Sequence, residues 1–223
     1  MFFLSCLDLN DSDRDVRRVL SDPYRIHQEI LNAWDDDTAG RVLFRSEITP
    51  GGAARLVVQH PHEADWRRCF RPVEGRKLLC RFVQKQVELQ LTQGHRLRFL
   101  LRANPTAKRR ATGSAEGAEA RWIRAGLRTP EEQLAWLERQ GETRSRPDGV
   151  PTGGFRILEA EIRGSGDQVA FQPRDRKRLT HHGALFEGRL EVTDVDSFLS
   201  TIEHGVGAGK AVGFGLLSLA PSR

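Results

Sequence analysis

The sequence predicts an α+β protein built from two tandem units, each in the order β-α-β-β-α-β. Three observations carry this. Leu97, Phe99, Leu101 and Ala103 alternate with Arg96, Arg98, Leu100 and Arg102, the period-two pattern of a strand with one buried face. Asp22-Pro23 and Thr129-Pro130-Glu131-Glu132 each set a capping side chain before proline at the first helical position. Val195, Phe198, Leu199 and Ile202 recur at i, i+3, i+4 and i+7, the spacing of one apolar helix face.

The elements follow in order. Phe2 to Leu9 reads as a strand, and Asp22-Pro23 opens a helix to about Trp34 whose apolar face carries Ile26, Ile30, Ala33 and Trp34. Val42 to Ile48 and Ala54 to Gln59 read as strands joined through Pro50-Gly51-Gly52, with a short element near Trp66 and one or two strands within Leu78 to Leu91. The second unit opens with the Leu97 strand, which Asn104-Pro105 ends. Lys108 to Gly126, polar and rich in alanine and glycine, reads as a mobile loop. A helix from the Thr129 cap runs to about Gln140. Strands are expected at Phe155 to Arg163, Val169 to Gln172 and Leu185 to Val192, then a helix capped by Asp194 and a last strand from Phe214 to Leu219. This is the ferredoxin-like order. The domains expected are 1–91 and 95–223.

Composition bounds the partners. The net charge is +5, and 30 arginines stand against 5 lysines. Arginine's planar fork suits phosphate and stacks on bases, so an anionic partner, nucleic acid above all, is expected. No apolar run is long enough to cross a membrane, and Met1 to Leu9 lacks the basic start of a signal peptide. Cys6, Cys69 and Cys80 make neither a close pair nor a metal spacing, as expected of reduced thiols in the cytoplasm.

Five of the eleven residues from Gly205 to Gly215 are glycine, with Lys210 among them. Glycines, backbone N–H groups and one cation suit phosphate. The mononucleotide loop pattern fails, because Gly209-Lys210 is followed by Ala211 and His204 stands where the first glycine belongs. The dinucleotide pattern fails too, since no helix can follow before the chain ends. A small nucleotide-dependent enzyme therefore lacks both standard signatures. Gly205 reads as a helix C-cap.

Tyr24, the single tyrosine, and His27 stand three apart on the flank of the first helix. Two readings stand. Such a pair packs and hydrogen-bonds, or it serves RNA cleavage without metal. In the second, a neutral histidine near a helix N-terminus takes the 2′-hydroxyl proton, or its charged form protonates the leaving 5′-oxygen. His60-Pro61-His62 reads as a plain loop, and no carboxylate pair suits two-metal chemistry, so no metal and no cofactor are expected. Arg102, the cluster Lys108-Arg109-Arg110, the hairpin-tip cations Arg174, Arg176, Lys177 and Arg178, and Gly207, Gly209 and Lys210 are the expected RNA-binding residues.

Four segments carry a resemblance. Leu97-Arg98-Phe99-Leu100-Leu101-Arg102-Ala103-Asn104-Pro105, Glu132-Gln133-Leu134-Ala135-Trp136-Leu137, Leu185-Phe186-Glu187-Gly188-Arg189-Leu190 and Gly205-Val206-Gly207-Ala208-Gly209-Lys210 through Leu219-Ala220-Pro221 resemble the CasE family. That family is the CRISPR-repeat endoribonuclease of the type I-E Cascade complex. The resemblance implies two ferredoxin-like domains facing each other across a cleft. It implies metal-independent cleavage at the base of a repeat stem-loop, leaving 5′-hydroxyl and 2′,3′-cyclic phosphate ends. It implies catalysis by Tyr24 and His27, retention of the crRNA product, and docking with other Cascade subunits. The alternative on the same scaffold is a non-catalytic RNA-binding subunit.

Overall fold

A computed structural model describes residues 1–35, 38–110, 122–172 and 177–222; the side chains of residues 110, 171, 172, 177 and 178 lie outside that description. The first half runs β1 (Phe2–Leu9), α1 (Arg14–Leu20), α2 (Pro23–Leu31), β2 (Leu43–Ile48), β3 (Ala54–His60), a 3₁₀ turn at Trp66–Arg68 and β4 (Leu79–Val87). Its antiparallel sheet has the order β2-β3-β1-β4. The second half runs β5 (Arg96–Ala103), β6 (Thr106–Arg110), β7 (Trp122–Gly126), α3 (Pro130–Gly141), β8 (Arg144–Ser145), β9 (Pro151–Thr152), β10 (Phe155–Gln172), β11 (Lys177–Val192), α4 (Val195–His204), a 3₁₀ turn at Lys210–Val212 and β12 (Leu217–Pro221). Its main sheet has the order β10-β11-β5-β12. In both halves the strands lie second, third, first, fourth, which is the ferredoxin-like arrangement.

The caps hold as the sequence expects. Thr129 Oγ1 accepts the Glu132 N–H at 3.2 Å, and Asp194 Oδ1 accepts that of Ser197 at 2.7 Å. Each half has its own core, Leu7, Ile26, Ile30, Phe44 and Trp66 in one and Leu101, Phe186, Phe198 and Ile202 in the other.

Several expectations change. Helix α1, capped by Asp13, was not expected; it buries Val16 and packs Val19 and Leu20 on the first core, a stripe of i, i+3, i+4 only seven residues long. The segment expected to be a mobile loop begins and ends in paired strands: β6 and β7 form a hairpin in which Lys108 faces Arg124 and Arg109 faces Ile123. Residues 111–121 of that segment lie outside the described residues. β10 is one strand of 18 residues, not two, because Gly164 and Gly166 remain paired to Leu185 and Gly183. The last strand starts at Leu217. His60 is no loop residue: it ends β3, fully buried, with Nε2 2.9 Å from Ser5 Oγ and Nδ1 2.6 Å from the His62 carbonyl. Trp34 and Trp66 lie edge-on against its ring.

The halves are joined directly. Gln59 Nε2 donates to the Ile202 carbonyl at 2.7 Å in a buried contact, and Arg45 donates to Ser218 Oγ at 3.1 Å. The 3₁₀ turn at Lys210–Val212 packs on α2.

Candidate active site

Asp22 Oδ1 accepts the Tyr24 N–H at 3.1 Å, Pro23 occupies the first turn, and Ile26 and Ile30 anchor α2 in the first core. That leaves His27 half-buried on the helix flank. Its ring stacks on Phe44, centroids 6.0 Å apart and planes 12° from parallel. Its Nδ1 is buried with no hydrogen-bond partner among the described residues. Burial, and secondly the charge of Arg41, hold its pKa below the ordinary histidine value. The sequence pointed to the helix dipole for this effect; desolvation and Arg41 supply it.

His27 opens on a cavity of about 980 Å³, whose wall also carries Arg41, Arg71 and Lys210. The cavity's carboxylates are engaged. Glu29 accepts the Phe70 N–H, Asp35 pairs with Arg68 at 2.8 Å and Asp15 with Arg76 at 2.6 Å. Arg41 has no ion-pair partner among the described residues. The cavity is thus left with uncompensated positive charge beside a neutral imidazole, a setting for an anion that loses a proton nearby.

Lys210 comes from the other half. Its Nζ donates to the Gly207 carbonyl. Burial first, then the charges of Arg41 and Arg146, lower its pKa to about 8. The glycines around it answer to the protein's own packing. Gly207, at φ +76, would put a Cβ 2.9 Å from Cζ2 of Trp136; Gly209, at φ +82, would put one 2.9 Å from Phe214. Gly205 is the C-cap of α4, its N–H bonded to the Thr201 carbonyl.

Tyr24 does not line the His27 cavity. It is half-buried against Ala170, Val212 and Phe214, where α2, the β10–β11 hairpin and the glycine segment meet. The sequence pair is therefore one helix flank facing two neighbouring surfaces.

The other expected residues are spread. The Arg102 guanidinium lies 5.8 Å from the Phe214 ring centre, and burial, with Arg45 nearby, lowers its pKa. Lys108 is exposed on β6, and Arg109 is held by Glu132 at 2.6 Å. Arg110 ends β6 opposite Trp122. Lys177 and Arg178 begin β11 opposite Gln172 and Phe171, at the end of the long hairpin. Arg174 and Arg176 lie outside the described residues. Below the hairpin end, His181 Nδ1 lies 3.2 Å from Asn104 Nδ2, and His182 Nδ1 lies 2.7 Å from Asp167 Oδ1. Sequence reasoning missed Arg41, because one arginine among 30 carries no pattern and only the fold brings it beside His27 and Lys210.

A family model described as CRISPR associated protein matches residues 2–221. The CRISPR-associated endoribonuclease Cse3 of Thermus thermophilus is 38% identical over 234 residues, covering 98% of this chain and all of the relative. The Cascade subunit CasE of Escherichia coli is 34% identical over 139 residues, 61% of this chain and 64% of the relative. The structure of Thermus thermophilus Cse3 bound to an RNA representing a pre-cleavage complex superposes with a TM-score of 0.76 at 36% identity, over 99% of each chain. By this match over its full length, the chain belongs to the CRISPR-associated CasE (Cse3) family.

Proposed function

We propose that this chain is a metal-independent endoribonuclease that cuts CRISPR repeat RNA at the base of its stem-loop and keeps the crRNA product as a Cascade subunit. The names of its relatives, an endoribonuclease and a Cascade subunit, support the reading. The observation that carries it is His27, a desolvated imidazole in a cavity where Asp15 and Asp35 are ion-paired, Glu29 is hydrogen-bonded to the Phe70 N–H, and Arg41 and Lys210 are available to phosphate.

The chemistry is an internal transfer. The 2′-oxygen next to the cut attacks the phosphorus, the bond to the 5′-oxygen breaks, and the products carry a 2′,3′-cyclic phosphate and a 5′-hydroxyl. Neutral His27 takes the 2′-hydroxyl proton, and water or the resulting imidazolium supplies one to the leaving oxygen. Arg41 and Lys210 face the charge that builds on the phosphoryl oxygens. Tyr24 meets the RNA from the hairpin side and orients the attacking sugar. No step calls on a metal or cofactor.

Residues 1–91 then form the catalytic domain. Residues 95–223 form the RNA-holding domain, with Arg102, Lys108, Arg109, Arg110, Arg174, Arg176, Lys177 and Arg178 tracking phosphates and Gly207 and Gly209 shaping the path. Among the described residues no helix is long and apolar enough to cross a membrane. The cytoplasm, where the transcript is made, is the proposed location.

His27→Ala tests the assignment. Single-turnover cleavage of repeat RNA is lost while affinity stays within about threefold of the parent, since the imidazole acts on the reaction and not on holding the duplex. Unchanged cleavage would remove His27 from the mechanism; a parent protein that binds repeat RNA without cutting it would leave the reading of a non-catalytic RNA-binding subunit.

A further inference from the structure

Lys210 belongs to two cavities. One contains His27. The other, about 530 Å³, lies beyond the glycine segment, between the C-terminal end of α3, the β8–β9 hairpin and β7. Its wall carries Arg124, Arg139, Arg144, Arg146 and Lys210, and no carboxylate lines it. Arg146 pairs with Asp148 at 2.9 Å. Arg144 donates to Gln140, and Arg124 to Thr106, both neutral. Arg139 is exposed and has no ion pair among the described residues. So many cations with so little neutralisation repel one another, and that arrangement is relieved by a polyanion.

We propose that this second cavity binds the sugar-phosphate backbone of the single strand of RNA that continues past the cut, on its 3′ side. The proposal rests on the nuclease reading above. Continuity is the first argument: Lys210 forms part of the wall of both cavities, and its ammonium feels Arg41 from one and Arg146 from the other. A strand whose scissile phosphate sits by His27 enters the second cavity with its next phosphates. Size is the second: a cavity of about 530 Å³ takes a nucleotide backbone and excludes a duplex. The nucleotide before the cut belongs to the stem, so the strand after it is the one left to enter. Charge is the third. A protein partner would favour a centre depleted of charge, whereas this wall carries four arginines and Lys210 with no carboxylate among them. A lasting hold on the 3′ strand is also unwanted once the bond breaks, and exposed cations released by salt fit a grip that lets go.

The test uses the full chain and two stem-loop RNAs with a 2′-deoxy sugar before the cut, so that neither is cleaved. One RNA ends at the cut; the other carries the 3′ flank. The parent binds the longer RNA more tightly, by about tenfold at low salt. In Arg139→Ala/Arg144→Ala that advantage disappears, and affinity for the shorter RNA is kept. The slope of log K against log salt for the longer RNA falls by about 1.4, two single-strand phosphate contacts. Equal loss for both RNAs would overturn the proposal in favour of a general charge effect. No loss for either would also overturn it; loss of binding to Cascade subunits in that variant would then assign the cavity to a protein. If the parent fails to bind even the shorter RNA, the nuclease reading itself falls.

Discussion

The imidazole of His27 lies flat on the ring of Phe44, 12° from parallel, at the seam between α2 and β2. Phe44 is itself buried and also receives Gly213 from the glycine segment, so one ring links the imidazole to the second half of the protein. The stack limits the rotation of His27 and keeps water from one face of it. Both effects favour a neutral base held in one orientation.

Phe44→Leu removes the stack while keeping an apolar side chain. The imidazole gains water, and its pKa rises toward the ordinary value. As the base form is the active one, the rate falls as pH falls through that pKa, so the acid limb of the single-turnover pH profile moves to higher pH. The rate at neutral pH drops by roughly tenfold through lost orientation. A profile that stays in place would remove Phe44 from the site.

The glycine segment predicts a stability difference between two substitutions. Gly207 and Gly94 both adopt positive φ, but a Cβ at 94 meets nothing within 4 Å, and one at 207 meets Trp136 at 2.9 Å. Gly94→Ala costs the backbone strain alone, about 1 kcal/mol. Gly207→Ala adds displacement of a buried indole and costs about 2–4 kcal/mol in denaturant unfolding. Equal costs would mean that Trp136 yields freely.

His60 predicts loss of stability in acid. Burial is the main cause that lowers its pKa to about 4, partly opposed by its contact with the His62 carbonyl. A histidine with a lowered folded pKa binds more protons when unfolded, so its contribution is complete above 6.5 and is lost as pH falls toward 4. The loss reaches about 3 kcal/mol at 1.36 kcal/mol per unit. Unfolding at pH 7 and pH 4.5 measures it; His60→Gln, which keeps polar contacts to Ser5 without the titration, reduces the pH dependence. The same dependence in that variant would place the acid sensitivity elsewhere.

What the sequence revealed, and what it hid, follows from range of interaction. Asp22-Pro23 and Thr129 announced their helices because capping is local, and the Leu97 strand was legible because alternation is local too. Two strands were expected at Phe155 to Arg163 and Val169 to Gln172, yet β10 runs through Gly164 and Gly166 between them because its pairing to β11 is non-local. Lys108–Gly126 looked unstructured because β6 is largely cationic and β7, Trp122–Gly126, is too short to display an alternation. Tyr24 and His27 were legible as a pair through their spacing alone, and the packing of Tyr24 against the cluster of Ala170, Val212 and Phe214 depends on the fold. The glycines suggested a ligand, and much of their identity is owed to Trp136 and Phe214. Arg41 is the converse: a site residue with no local mark.

Metal-free attack by the 2′-hydroxyl is tested most directly by comparing two repeat RNAs in excess EDTA. One is all-ribose; the other has a single 2′-deoxy sugar just before the cut. The first is cleaved to a 2′,3′-cyclic phosphate while the second is bound and stays whole. Cleavage of the deoxy substrate would exclude attack by the 2′-hydroxyl, and failure to cleave the ribose substrate under chelation would exclude a metal-free reaction.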